Sequence, residues 1–267
     1  MTRAAFALAV LLVGLPAFAR QPDGKREPQP VRAATLSNVV VTGTVTAVEC
    51  EPTDAKLTPS AAEEVGFTIT VVKIDRPLLG AKNLTHVRIG VPVGREKDGG
   101  NVIPKDGKVL LFLRRHPTAG FLVPSRFHPS VELGGPAAAD TLRRVEAVTD
   151  AVNDPVKALS AEKKDDRVAA AAVLAERYRN LAKGATDTVE VDRPAEESRL
   201  LLAALAEADW SARLPDGRDV NGLMHSIQLN PKGFAMERTV DASKDRFVKW
   251  LAEDGKTARV RQAVAKE

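Results

Sequence analysis

Four histidines, one cysteine and a few serine, lysine and carboxylate clusters are the side chains of this 267-residue chain that could do chemistry. A metal centre needs several His, Cys or carboxylate ligands converging on one point. His116 and His128 are the nearest pair of histidines in sequence. Read as a hairpin of Lys108–Arg114 against Gly120–Arg126, the segment puts His116 at the turn and His128 beyond the far end, roughly 23 Å away at the usual strand rise. They cannot share an ion. His86 lies on the face opposite Val87 and Ile89, and His225 falls off the helical stripe Val220, Leu223 and Ile227, so both read as solvated. Cys50 sits between Glu49 and Glu51, whereas a reactive thiolate wants cationic neighbours; it reads as a partly buried small residue at a strand end.

Nucleophile motifs appear only as fragments. Ser160-Ala161-Glu162-Lys163 has the spacing of a serine–lysine pair, but the companion Lys-Thr-Gly box is missing, because Lys256-Thr257 runs into Ala258. Ser160 therefore reads as a helix N-cap. Gly255-Lys256-Thr257 looks like the end of a phosphate-binding loop, yet Trp250 stands where the first glycine belongs, and Gly255 reads as a helix C-cap. The pairs Glu63-Glu64, Asp165-Asp166 and Glu196-Glu197 read as solvated or helix-starting carboxylates. This pattern favours binding over catalysis, and it implies no metal and no cofactor.

Binding has better candidates. Arg114, Arg115 and Arg126 concentrate positive charge where an anion or an acidic partner would dock. The long connection Glu49–Glu64, carrying Glu51, Asp54 and Lys56, and the segment Val93–Lys105 form a second candidate surface, since long loops on a small β domain commonly bind. Lys and Arg number 39 against 35 Asp and Glu, and aromatics are 4% of the chain. Neither a phosphate-tracking groove nor a base-stacking platform fits that composition, so nucleic acid is not an expected partner.

These residues need elements to hold them. Met1–Ala19 has a charged start at Arg3, an apolar run from Ala4 to Leu15 and the small-residue site Ala17-Phe18-Ala19, the order of a secretory signal. The run is too short to span a bilayer, so the expectation is an exported protein, periplasmic or extracellular, with no transmembrane anchor after cleavage. Residues 20–36, with Pro22, Pro28 and Pro30, read as a flexible leader. From residue 37 to 135 apolar residues alternate in Asn38–Val48, Phe67–Asp75, Leu84–Val91, Lys108–Arg114 and Gly120–Pro124, with Phe127–Leu133 as a short edge strand. Short strands joined by turns predict an antiparallel barrel or sandwich. After Gly134-Gly135-Pro136 the period changes to 3.6, and 137–267 predicts an all-α helical domain. Its helices are expected within Asp166–Arg179, Pro194–Trp210, Asp219–Leu229, Ser243–Asp254 and Thr257–Lys266, with Asp154-Pro155 as a helix start. Asn83-Leu84-Thr85 fits a glycosylation acceptor.

The strand region, with Val41-Thr42-Gly43-Thr44-Val45, Leu78-Leu79-Gly80 and Asp106-Gly107-Lys108-Val109-Leu110-Leu111-Phe112-Leu113, resembles secreted OB-like barrels of the netrin-like kind. The resemblance implies an OB-like fold. It does not bring the inhibitor mechanism of that family, which uses an N-terminal cysteine on a target's zinc, because the expected mature end here is Arg20. The helix Arg167–Arg179 is similar to one helix of a HEAT-type repeat. The expected function is an exported, non-enzymatic binding or scaffold protein that engages a protein or envelope-polymer partner through barrel loops. The alternatives are an exported hydrolase acting on an envelope polymer and a structural spacer of an envelope assembly.

Overall fold

The computed structural model describes residues 30–94, 107–125, 130–180, 188–214, 220–225, 227–230 and 234–265. Its first half is built from β1 (Val39–Val48), β2 (Thr53–Lys56), β3 (Glu64–Leu79), β4 (His86–Pro92), β5 (Lys108–Arg115), β6 (Leu122–Pro124) and β7 (Ser130–Glu132). Five of these strands close a ring in the order β1-β3-β4-β6-β5, with β5 pairing back onto β1 from Val39↔Leu113 to Thr44↔Lys108. β2 and β7 are appended to β3 and β5. The barrel expected from the sequence is present, but one junction departs from the antiparallel pattern: β4 and β6 run parallel at Ile89↔Leu122. A closed ring with an odd number of strands cannot alternate direction all the way round, so at least one pair must be parallel.

Alternation sorts the side chains. Val39, Val41, Val72, Val87, Ile89, Val109, Leu111 and Leu113 fill the barrel interior. On β1 and β5 the intervening residues Val40, Leu110 and Phe112 point outward, yet they are buried as well, because helices cover them. Burial on both faces is why Val109–Leu113 is an unbroken apolar run. Gly43 on β1 lies so close to β3 that a Cβ there would stand 2.4 Å from the carbonyl oxygen of Lys73.

The helices are α1 (Pro30–Leu36), α2 (Ala138–Asn153), α3 (Pro155–Leu159), α4 (Lys164–Asn180), α5 (Ala195–Glu207), α6 (Val220–Met224) and α7 (Val240–Ala252). Asp154 starts α3 as expected, its side chain accepting from the Lys157 N–H at 3.1 Å. Asp and Glu favour such starts because the first turn has unpaired N–H groups. The middle of α4, residues 168–175, is apolar nearly all round: Val173 packs toward the barrel, while Val168, Ala171, Leu174 and, one turn on, Tyr178 join the core made with α5 and α7. A helix of that kind must be covered on every side.

Several expectations need correction. The leader is not flexible to residue 36, because Pro30–Leu36 is a helix whose Val31, Ala33 and Ala34 are buried against β5, α2 and α4. Residues 20–29 and the signal segment lie outside the described residues. The region after 137 is not all-α. β8 (Thr188–Asp192), β9 (Leu229–Asn230) and β10 (Arg259–Ala265) form a three-stranded antiparallel sheet, with Arg261 opposite Asp192 and Val260 opposite Leu229. The helix expected over Thr257–Lys266 is thus β10, in which Val260 and Gln262 are buried at period two. Its pairing partners lie far away in the chain, where local periodicity carries no signal. Ser160 does not cap the start of α4; it closes α3, its N–H donating to the Val156 carbonyl at 3.0 Å. Glu253, not Gly255, ends α7, and Gly255 instead packs beneath Trp250, where a Cβ would come within 3.0 Å of the indole.

Candidate binding face on β3 and β4

Opposite residues of an antiparallel pair share a face. The β3–β4 register therefore puts Phe67 with Pro92, Ile69 with Gly90, Val71 with Arg88 and Lys73 with His86 on the outside of the barrel. That face has two halves. At the Lys73 end, Lys73, His86 and Arg88 are exposed. Arg88 makes a bidentate pair with Glu49, its Nε and Nη2 donating to the two carboxylate oxygens at 2.8 Å each. This guanidinium holds the Glu49 carboxyl below the usual carboxylate range and raises its own proton affinity in turn.

At the Phe67 end the face is covered by the chain itself. Ala55 of β2, Phe67 and Ile69 of β3, and Phe121 form a buried cluster outside the barrel, with Val65, Ala119 and Val123 packed against it. Phe121 lies over Gly90 so tightly that a Cβ on Gly90 would be 2.4 Å from the ring. A glycine in mid-strand here marks a close approach. Phe67 and Phe121 pack with ring centroids 5.0 Å apart.

Residues 116–121 connect β5 to β6 and bring in His116. Its backbone N–H donates to the Phe121 carbonyl at 3.2 Å, closing the turn. The ring is buried, edge-on to Phe67 at 5.2 Å and tilted against Phe121 at 4.7 Å. Its Nδ1 accepts from the backbone N–H groups of Thr118 at 3.3 Å and Ala119 at 3.1 Å. Since those amides can only donate, the neutral ring carries its proton on Nε2. The turn also reaches β2, where the Thr118 hydroxyl donates to the Lys56 carbonyl at 3.5 Å.

The sequence candidates fall around this face. Asp54 and Lys56 are not on an open loop, because Thr53–Lys56 is a strand paired with Glu64–Phe67; Glu51 lies in the bend just before it, so Glu49–Glu64 is a hairpin extending β3. Glu51 and Asp54 are exposed and Lys56 is half-buried. Of the second loop, Val93 is tied in by its N–H to the Gly66 carbonyl at 2.9 Å, while 95–105 lie outside the described residues. Arg114 and Arg115 end β5; Arg115 is exposed and its N–H donates to the Asn38 side chain at 3.3 Å. Arg126 and His128 are outside the described residues, so the three-arginine cluster is not assembled within them. What the sequence reading missed is the His116–Phe67–Phe121 packing. Gly90 among Ile89 and Val91 was its one available signal.

The remaining chemical residues behave differently. Cys50 is exposed rather than partly buried, because β1 ends before it and the chain turns toward the β2 hairpin. His86 and His225 are exposed, as expected. Among the described residues no three His, Cys, Asp or Glu side chains are grouped to hold a metal, and no helix is long and apolar enough to cross a membrane. No family model, curated protein or solved structure matches the chain. Glu197, read from sequence as a solvated or helix-starting carboxylate, does lie in the first turn of α5, but it is buried against α4 and held by Tyr178 and Arg193. A cleft of about 200 Å³ lined by Met224, His225, Phe234 and Met236 opens beside α6.

Proposed function

We propose that this chain is an exported, non-enzymatic binding protein whose OB-like barrel holds a protein or envelope-polymer partner on the outer face of β3 and β4. Counted in chain order, the ring strands β1, β3, β4, β5 and β6 are first to fifth. OB barrels take their ligands on the face of the second and third strands and on the loops between the first and second and between the fourth and fifth. Here those parts are the β3–β4 face, the β2 hairpin and the 116–121 turn. The observation that carries the reading is that hairpin and turn meet on this face, through Thr118 with Lys56 and His116 with Phe67. The exposed row Lys73, His86 and Arg88, with Arg88 paired to Glu49, continues it as a polar surface open to solvent.

Site-specific photo-crosslinking tests this. Crosslinkers replacing Asp54, Lys73 or Arg88 should capture one common partner in the envelope fraction, and crosslinkers at Asp165 or Asp166 on α4 should not. Capture from the α4 positions alone would move the partner surface to the helical region and sink the proposal.

A further inference from the structure

We infer that the His116–Phe121 turn is an acid-released cover over the Phe67 end of the β3–β4 face, held shut by the unprotonated Nδ1 of His116 and opened when that nitrogen takes a proton. The inference concerns regulation of the face described above, and its importance for binding rests on that reading. The physical case for it does not.

The turn is pinned on one atom. Nδ1 of His116 is the acceptor for both the Thr118 and the Ala119 amides, and the Thr118 hydroxyl also lies 3.4 Å from it. A proton on Nδ1 converts this acceptor into a donor facing donors, so both amide contacts are lost at once. The other ring nitrogen offers no relief: Nε2 is buried and has no hydrogen-bond partner among the described residues. An imidazolium would therefore place a full charge between Phe67 and Phe121 with its Nε2–H unpaired and only the Thr118 hydroxyl, 3.4 Å away, to receive its Nδ1–H. Charged residues on the surrounding elements are Asp54 and Lys56 on β2, Glu64 on β3, Arg88 on β4, and Arg114 and Arg115 leading into the turn. None of them hydrogen-bonds to the ring, and burial is what holds its pKa below the ordinary 6.5.

The direction follows from linkage. The released turn presents a solvated histidine that binds a proton near 6.5, while the closed turn binds one only at lower pH. Closure is thus fully favoured above about pH 6.5 and is lost as pH falls from there toward the lower value of the closed state. At pH 5 the open population gains up to roughly 30-fold over neutral pH, the ratio set by 1.5 pH intervals below the free value. Opening lifts Phe121 off Gly90 and bares Phe67 and Ile69 next to the exposed Lys73, His86 and Arg88 row.

Amide hydrogen exchange on the full-length mature protein, without any partner, tests this. After correction for intrinsic chemistry, protection of the Thr118 and Ala119 amides should fall between pH 7.5 and pH 5, by at most roughly 30-fold, while that of Leu111, paired with Val41 in the barrel, stays constant. In His116→Asn the side-chain oxygen can still accept from the turn amides but does not titrate, so protection should persist at pH 5. Wild-type protection that does not change with pH, or an equal fall in His116→Asn, overturns the inference. Should the variant fail to fold, the NMR titration of His116 in the wild type decides: an apparent pKa below 6.5 is expected, and one at or above 6.5 overturns it. None of these readouts involves the partner, so their failure is distinct from failure of the crosslinking experiment.

Discussion

The hydroxyl of Tyr178 on α4 donates to the carboxylate of Glu197 on α5, and both side chains are buried. Arg193 completes the arrangement. Its guanidinium makes two 2.8 Å bonds to the same carboxylate, lies 4.8 Å from the centre of the Tyr178 ring, and reaches Gln262 of β10 at 3.1 Å. One buried carboxylate thereby joins two helices and the C-terminal sheet, with its charge paired and its oxygens satisfied.

Tyr178 is the only tyrosine, so phenolate absorbance reports on it alone. Burial, and then the hydrogen bond to Glu197, push its pKa well above the ordinary 10.0. The unfolded chain releases this proton first, so the contribution to stability is complete below pH 10 and declines as pH rises past it. An alkaline titration should show no phenolate until the protein unfolds. A reversible phenolate signal centred near pH 10 in the folded protein would contradict the buried pairing.

Arg177, the neighbouring residue on α4, donates through one nitrogen to the carbonyls of Thr35 at 2.8 Å and Ser37 at 2.9 Å. It ties the end of α1 to the helical region exactly where β1 begins, leaving those carbonyls no need of water. Arg177→Met should lower stability by about 2–4 kcal/mol in urea unfolding, because charged hydrogen bonds are lost and buried acceptors are left open. A change under about 0.5 kcal/mol, the size expected of an ordinary surface substitution, would mean that the tether carries no weight.

Two glycines separate tight packing against backbone from tight packing against a side chain. At Gly43 the obstacle to a Cβ is the Lys73 carbonyl oxygen, and at Gly90 it is the Phe121 ring, each at 2.4 Å. A ring can shift and a ladder carbonyl cannot, so Gly43→Ala should cost more than Gly90→Ala, whose expected loss is about 1–3 kcal/mol. Urea midpoints with the reverse order would be inconsistent with the packing described. Gly90→Ala should also raise exchange at the Thr118 and Ala119 amides at neutral pH.

Cys50 is exposed in the connection from β1 to the hairpin. A maleimide should label the folded protein at one thiol per chain without denaturant. Labelling that needs urea would place the thiol inside the structure.

Local periodicity carried much of the architecture. The alternation in Asn38–Val48 and Leu84–Val91 marks β1 and β4, and the 3.6 spacing of Val168, Ala171, Ala172 and Ala175 marks α4, because those faces are buried in the fold as they are apolar in sequence. Asp154-Pro155 marked the start of α3 for an equally local reason, the unpaired amides of a first turn.

The apolar pattern along the chain marks which segments bury one face and which, like Val109–Leu113, bury both. What covers each face was decided only by tertiary structure. Val40 and Phe112 are covered by α1, α2 and α4, whereas Phe67 and Ile69 of β3 are covered by a six-residue turn and a hairpin. β10 passed for a helix because its partners Asp192 and Leu229 are remote in the chain. The candidate face escaped for the same reason: Ala55, Phe67, Gly90 and His116 come from four separate stretches, and only the closing of the ring brings Gly90 beneath Phe121 and sets His116 beside Phe67. A pattern along the chain reports how much of a residue must be hidden, and the partner that hides it is a property of contacts between distant segments.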